Sequence, residues 1–143
     1  MKQKIIDPWG SGLLEDYGNL IKDFGLEVFD SKLFPKPNRL MRRGVVFAGR
    51  DLNIISEAIK QKKKFYVLSG IMPTNEKIHF GTKMVIENIR YFQEHNAETY
   101  LLVADLEAAA ARGVPLEEAR KRSMEFHFRA YVSLGLDRKK CTF

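Results

Sequence analysis

Two kinds of segment alternate along the chain. Some have apolar residues at helical spacing or are rich in alanine, and the others are short apolar runs that are typical of strands. The pattern predicts helices over residues 51–62, from His79 or Gly81 to about Glu94, over 106–112 and over 116–134. Met84, Val85, Ile89 and Phe92 are expected on the apolar side of the second helix. Two buried strands are predicted at Phe65–Leu68 and Thr99–Ala104, and Cys141–Phe143 indicates the start of a third.

Polar residues, glycine and proline mark the expected ends of these elements. Asp51 and Asp105 precede two of the helices and are expected to cap their first turns. Gly113 and Pro115 separate the last two helices, and Gly135 ends the second of them. Each predicted helix therefore has a physical start or stop signal.

Residues 1–50 are expected to form a mainly helical appendage. A loop around Pro8-Trp9-Gly10 precedes an amphipathic helix that Gly25 would close. The apolar positions of that helix are Leu13, Leu14, Tyr17, Leu20, Ile21 and Phe24. Pro35 and Pro37 then interrupt the chain.

Residues 51–143 begin with a helix, and the order after it is strand, helix, strand, helix, helix, strand. This order indicates right-handed parallel crossovers between the strands. The predicted fold class is α/β, and this segment is expected to be the first half of a doubly wound, Rossmann-like (HUP-type) nucleotide-binding domain, incomplete at its C-terminus. Ligands in such folds bind at the carboxyl ends of the strands. The two expected strand exits are Ser69-Gly70, where a glycine bend is predicted, and Ala104-Asp105.

Composition limits the class of protein. Hydrophobic residues make up 45% and charged residues 29%, and no apolar run approaches the roughly 18 residues needed to span a bilayer. The single cysteine, Cys141, excludes an internal disulfide and a cysteine-rich zinc site. No histidine pair has metal-ligand spacing, and the start has no secretory pattern, so we expect a cytoplasmic protein with no protein-bound metal and no membrane partner.

The chain is moderately basic, with a net charge of +6 from 24 basic and 18 acidic residues. This balance suits an anionic partner such as ATP or RNA, but many domains with the same excess bind no polyanion. The basic runs Lys60–Lys64 and Arg138–Lys140 are short, and runs of this kind are most often solvated faces. Charge alone therefore leaves both interpretations open.

The segment from Ser69 to Lys83 has the residues for phosphate binding. It runs from a strand through Ser69-Gly70 and a proline loop into a helix, whose amino end presents free N–H groups and a positive dipole. His79 can donate to a phosphoryl oxygen, and Lys83 adds charge. Gly81 lets an adenine or ribose approach the backbone, because it has no Cβ.

His79-Phe80-Gly81-Thr82 resembles the His-Ile-Gly-His signature of class I aminoacyl-tRNA synthetases, and it lies on the helix after the first strand, where that signature belongs. Three other segments resemble the archaeal and eukaryotic tryptophanyl-tRNA synthetases. They are Asp7-Pro8-Trp9-Gly10, Arg42–Asn53 and Val103–Glu107. The resemblance covers essentially the whole chain.

The resemblance implies that ATP, accompanied by Mg²⁺, activates tryptophan to tryptophanyl-adenylate, and that the acyl group passes to tRNA. The implied catalytic residues are His79, Thr82 and Lys83. The implied nucleotide-binding residues are Pro73, Thr74, His79, Gly81 and Thr82, and the implied tryptophan-binding residues are Ser69, Gly70 and Glu107. The family also implies a homodimer.

The sequence departs from the family pattern at several places. Thr82 replaces the second histidine, and Leu68 and Leu102 stand where eukaryotic members have the tyrosine and glutamine that receive the indole N–H. A tyrosine enzyme of the same subclass and a non-catalytic nucleotide- or RNA-binding module are therefore alternatives. The family's second lysine motif and its anticodon-reading domain are not found in these 143 residues, so we expect them in a longer protein and expect this chain alone to be a poor enzyme.

Overall fold

The structure is a computed structural model, and it describes residues 17–143. The predictions at Asp7–Gly10, Leu13 and Leu14 lie outside this range. The elements of the described residues are α1 (Tyr17–Asp23), β1 (Glu27–Val28), α2 (Arg39–Arg42), β2 (Ala48–Gly49), α3 (Leu52–Lys60), β3 (Phe65–Ile71), α4 (Phe80–Glu94), β4 (Ala97–Val103), α5 (Asp105–Arg112), α6 (Leu116–Arg122), α7 (Phe128–Ser133) and β5 (Cys141–Thr142). Within residues 17–143, no helix has the length and apolar character that crossing a bilayer requires.

Three parallel strands in the order β3-β4-β5 form the main sheet. Phe65 pairs with Ala97 and Gly70 with Leu102, while Thr99 pairs with Cys141. The chain passes from β3 through α4 to β4, and then through α5, α6 and α7 to β5. This arrangement confirms the predicted α/β fold with parallel crossovers.

The core of the sheet lies under α4. Ile86 and Ile89 of this helix pack with Leu101 of β4 and with Tyr131 and Leu136, all of them 3% exposed or less. The burial of these side chains removes a large apolar area from water and stabilises the sheet–helix layer.

The prediction for Met84 and Val85 of α4 was wrong, because both side chains are more than a third exposed. The buried positions of the helix are instead Thr82, Ile86, Ile89, Tyr91 and Gln93. With 3.6 residues per turn, positions 82, 86, 89 and 93 share one face of the helix, and Met84 lies well away from it.

The predicted strands are buried on one face only, which corrects the expectation of fully buried strands. Tyr66 and Leu68 of β3 are 68% and 77% exposed, and Leu102 of β4 is 60% exposed. Their neighbours Phe65, Ile71 and Leu101 are buried, because successive side chains of a strand point to opposite faces. The short apolar runs did not reveal this alternation.

The segment before residue 50 packs against α3 and α4. Phe34 and Met41 share a buried cluster with Leu52, Ile59 and Phe65, and the short strands β1 and β2 pair antiparallel beside it. Further polar contacts join this segment to α4: the Tyr91 hydroxyl donates to the Pro35 carbonyl oxygen at 2.7 Å, Asn38 donates to Asn88 at 2.9 Å, and Arg39 pairs with Glu87 at 2.6 Å. The division of the chain at residue 50 stays a prediction.

The predicted cap at Asp51 was wrong, and Asp105 bonds to the first turn of α5 from inside the helix: its carboxylate accepts the Leu106 N–H at 2.7 Å. Asp51 adopts a left-handed conformation (φ 53°) and makes no side-chain cap; its backbone N–H donates to the Glu27 carboxylate at 3.0 Å. Asp105 is the first residue of α5 instead of the residue before it, and its carboxylate pairs with Arg120 at 3.2 Å. Both residues also have a partner far along the chain, Glu27 for Asp51 and Arg120 for Asp105, and local sequence rules do not report such contacts.

The helix predicted over 116–134 is found as α6 and α7 with a π-helical turn, Ser123–His127, between them. In this turn the Phe128 N–H donates to the Ser123 carbonyl oxygen, five residues back. Gly135 ends the helix in a left-handed conformation (φ 96°), as predicted.

Candidate functional site

A cleft of about 560 Å³ opens at the carboxyl edge of the sheet, between the end of β3, the start of α4 and the end of α5. It is lined by Gly70, Ile71, Met72, Thr74, His79, Gly81, Thr82, Val85, Arg112 and Val114. Five of these residues were predicted as site residues from the sequence: Gly70, Thr74, His79, Gly81 and Thr82. The segment singled out for its chemistry therefore borders a real concave surface.

His79 is the N-cap of α4. Its backbone is extended (φ −104°, ψ 174°), and its Nδ1 accepts the Thr82 N–H at 3.2 Å. An Nδ1 that accepts carries no proton, so a neutral His79 ring has its proton on Nε2. Among residues 17–143, Nε2 has no hydrogen-bond partner, and it is therefore available to donate to a ligand oxygen.

Gly81 has a packing role beside His79. A Cβ at this position would lie 3.0 Å from both Cε1 and Nδ1 of the His79 ring, closer than such contacts normally come. The glycine therefore gives the histidine room to fold back over the helix end. The sequence suggested only an approach of the ligand to the backbone here.

The cleft favours an anionic ligand. α4 runs for 15 residues with no acidic residue in its first turn, so the helix itself supplies no carboxylate that would offset the dipole at its amino end. Arg112 adds a cation, and the described part of the chain contributes no carboxylate to the lining. Sequence analysis missed Arg112 and Val114, because they reach the cleft from the end of α5, which follows the neighbouring strand β4, and neither has a local signal.

The predicted glycine bend was wrong. β3 continues through Ser69-Gly70 to Ile71, and Gly70 is an exposed strand residue whose added Cβ would meet only the Leu102 carbonyl oxygen, at 4.0 Å. The chain turns instead in the loop after Ile71, where the Pro73 side chain is fully buried. Pro73 therefore shapes the loop from inside, and it does not line the cleft.

Three other predicted residues also lie outside the lining. Ser69 is half-buried in β3, and Glu107 is half-buried in the first turn of α5. Lys83 is engaged elsewhere, since its Nζ lies 2.7 Å from the Glu87 carboxylate. The hydrogen bond from Arg39, assisted by Lys83, lowers the pKa of Glu87 from 4.5 to about 2.

A second cleft, of about 490 Å³, lies at the amino edge of the same sheet. Its lining contains Lys62, Lys64, Gln93, Asn96, Ala97, Glu98 and Lys140. None of the predicted site residues is among them. The two basic runs Lys60–Lys64 and Arg138–Lys140 meet here because they precede β3 and β5, and their lysines form no ion pair with another described residue.

Comparisons with known proteins agree on one family. A family described as tRNA synthetases class I (W and Y) matches residues 60–143. Tryptophan–tRNA ligase 1 of Halobacterium salinarum is 38% identical over 134 residues, which are 92% of this chain and 26% of that protein.

Solved structures show the same likeness. The tryptophanyl-tRNA synthetase of Aeropyrum pernix matches with a TM-score of 0.78 and 36% identity, over 96% of this chain and 39% of that one. A tryptophanyl-tRNA synthetase of Encephalitozoon cuniculi bound to tryptophan matches with a TM-score of 0.76 and 28% identity, over 87% of this chain and 39% of that one. The chain thus spans between about a quarter and two-fifths of the length of these relatives.

Proposed function

The chain belongs to the class I tRNA synthetases of the tryptophan and tyrosine group, and from this premise we propose that the protein is a tryptophan–tRNA ligase. It would use ATP to convert tryptophan to tryptophanyl-adenylate and pass the acyl group to tRNA. One observation carries the proposal: the capped amino end of α4, with His79, Gly81 and Thr82, lies beside the exit of β3 in a single cleft.

The residues of this cleft fit the triphosphate of ATP. The Nε2–H of His79, the amino end of α4 and Arg112 would stabilise negative charge on the phosphates. Thr74 and Gly81 would border the nucleotide, and Pro73 would fix the loop. Because the described lining holds no carboxylate, Mg²⁺ would be held by the phosphates of ATP rather than by the protein.

The tryptophan would lie beside the exit of β3. Gly70 is exposed there, and Ser69 and Glu107 would contact the amino acid, with Glu107 binding its ammonium group. Leu68 and Leu102 are exposed on the open face of the sheet and offer no acceptor for an indole N–H. Selection of tryptophan over tyrosine would therefore depend on other residues, and a tyrosine enzyme is the second candidate.

Among the proposed catalytic residues, His79 has the strongest geometric support. Thr82 is only 6% exposed, and its N–H is already used by His79. Lys83 would reach a phosphate only after leaving Glu87. We therefore assign the largest part of transition-state stabilisation to His79, with Thr82 and Lys83 in supporting roles.

The remaining partners follow from the family. We propose tRNA as the acyl acceptor, a homodimer as the assembly and the cytoplasm as the location, with residues 1–50 as an appendage to the catalytic domain. A non-catalytic nucleotide- or RNA-binding module remains the candidate from a different class, favoured by Thr82 in place of histidine.

Amino-acid-dependent ATP–pyrophosphate exchange on the full-length protein tests this proposal. We expect exchange with tryptophan and none with tyrosine. Exchange with tyrosine alone would transfer the assignment to the tyrosine enzyme. ATP or tRNA binding without exchange for any amino acid would instead favour the non-catalytic module.

A further inference from the structure

The loop between β3 and α4 is held by side chains of a distant helix. The Thr74 carbonyl oxygen accepts from Arg122 Nη1 at 2.5 Å, and the Asn75 carbonyl oxygen accepts from His127 Nε2 at 2.6 Å. Arg122 and His127 lie about 50 residues further along the chain, at the two sides of the π turn. Two consecutive carbonyl groups of the loop thus depend on one short helical segment.

The hydrogen bonds define the state of His127. A carbonyl oxygen only accepts, so Nε2 must carry the proton that it donates to Asn75. Nδ1 then accepts the hydroxyl of Tyr131, 2.9 Å away. Burial raises the pKa of Tyr131, which keeps that hydroxyl protonated as a donor. His127 is 3% exposed and Tyr131 is fully buried, so the hydrogen bond between these two side chains is shielded from water.

The π turn accounts for the placement of both side chains. Its wider turn inserts a residue into the helix, and π turns are frequent at functional sites. Ser123, at the start of the turn, is buried and donates its hydroxyl to the Ala119 carbonyl oxygen at 2.7 Å. His127, at its end, is directed into the protein toward the loop.

We infer that Arg122 and His127 are positioning residues for the nucleotide: they fix Thr74 and Asn75, and thereby one wall of the cleft that contains His79. Thr74 lines the cleft, whereas Arg122 and His127 do not, so their effect passes through the loop. The inference rests on the proposed function, because it takes ATP as the ligand of this cleft.

The chain offers a matched control on the same helix. Arg120 has acidic partners, Asp105 at 3.2 Å and Glu117 at 3.4 Å, but no bond to the loop. Arg122 also has an acidic partner, Glu118 at 2.9 Å. The substitutions Arg122→Met and Arg120→Met therefore remove the same charge; the first removes one ion pair and the second removes two, but only the first releases the loop.

In the full-length protein, we expect Arg122→Met and His127→Phe to raise the KM for ATP about tenfold, which corresponds to the loss of one such hydrogen bond. The KM for tryptophan and kcat should change by less than about twofold, since the loop borders the nucleotide. Arg120→Met should leave all three constants as they are. His127→Gln should restore the KM for ATP, because its amide can donate to Asn75 and accept from Tyr131.

Equal effects of Arg122→Met and Arg120→Met would overturn the inference, and so would an equal rise of both KM values. Hydrogen exchange of the amides in residues 72–78, measured without any ligand, gives a second readout. It should accelerate in Arg122→Met and His127→Phe but not in Arg120→Met; unchanged exchange would also overturn the inference. If calorimetry detects no ATP binding by the parent protein, the proposed function fails, and hydrogen exchange still decides whether these residues hold the loop.

Discussion

The two edges of the main sheet carry clefts of similar size and different character. The carboxyl-edge cleft, of about 560 Å³, contains groups held by hydrogen bonds, such as His79 on the Thr82 N–H. The amino-edge cleft, of about 490 Å³, is lined by Lys62, Lys64 and Lys140, whose ammonium groups have no ion-pair partner among the described residues. Both edges could attract an anion, but the carboxyl edge presents an imidazole whose orientation is fixed by a hydrogen bond, whereas the ammonium groups of the amino edge have no such partner among the described residues.

This difference distinguishes a surface that attracts anions from a site that can stabilise a transition state. Flexible lysines on a surface raise the local concentration of anions and lose side-chain entropy when they bind them. Fixed donors stabilise charge in a transition state without having to reorganise. The comparison predicts that equal chemical changes at the two edges will have unequal consequences.

The largest effect is expected for His79→Ala, because it removes the imidazole donor from the carboxyl edge. We expect the rate of tryptophan-dependent ATP–pyrophosphate exchange to fall about 100-fold or more. His79→Asn should lower the rate to a similar extent while keeping the stability of the parent, since asparagine caps helices well. Thermal unfolding and pyrophosphate exchange of both variants separate the cap from the donor. A His79→Asn variant with the parent rate would show that only the cap matters.

A smaller loss is expected for Gly81→Ala. The new methyl group would lie 3.0 Å from the His79 ring and displace it. We expect this displacement to slow ATP–pyrophosphate exchange on the order of tenfold. Stability should change little, because alanine favours the helix by about 0.5–1 kcal/mol and the contact offsets this. Crystal structures of the variant and parent would reveal the displacement; an unmoved ring with reduced activity would contradict this explanation.

The next effect concerns stability and its dependence on pH. The pKa of Glu87 is lowered to about 2 by Arg39 and Lys83, so this carboxylate stabilises the fold fully above pH 4.5 and loses that contribution as the pH falls toward 2. Glu87→Gln should therefore destabilise the protein at pH 7, by less than about 1 kcal/mol, because its main partner Arg39 is more than half exposed and solvent screens the pair. Urea unfolding at pH 7 and pH 3 measures the difference between variant and parent, which must shrink at the lower pH.

The smallest effect is expected at the amino edge. Replacing Lys62, Lys64 and Lys140 together by glutamine should change the free energy of unfolding by less than about 0.5 kcal/mol per site and leave pyrophosphate exchange unaltered. Chemical denaturation and the exchange assay check both expectations. A loss of exchange comparable to that of Gly81→Ala would remove the functional distinction between the two edges.

The start of α4, predicted at His79 or Gly81, is found at Phe80, because the residues that signal it lie next to one another in the sequence. The capping role of His79 was not predicted. The end of β3 was not predicted, since Ser69-Gly70 is compatible both with a turn and with an exposed strand position. The Lys83–Glu87 pair has the four-residue spacing that favours ion pairs in helices and could have been foreseen. Arg39 also reaches Glu87, but no local pattern announces a contact across 48 residues.

The π turn also limits which changes in chain length this protein can tolerate. The wide turn holds one residue more than a regular α-helical turn, so deleting one residue between Ser123 and His127 would close it to α-helix and leave the residues after it in phase. Tyr131 would then still face Ile86 and Leu101, but the turn that directs His127 toward the loop would be lost. In the regular helix α4, the same deletion would instead rotate every following residue of the helix by about 100°.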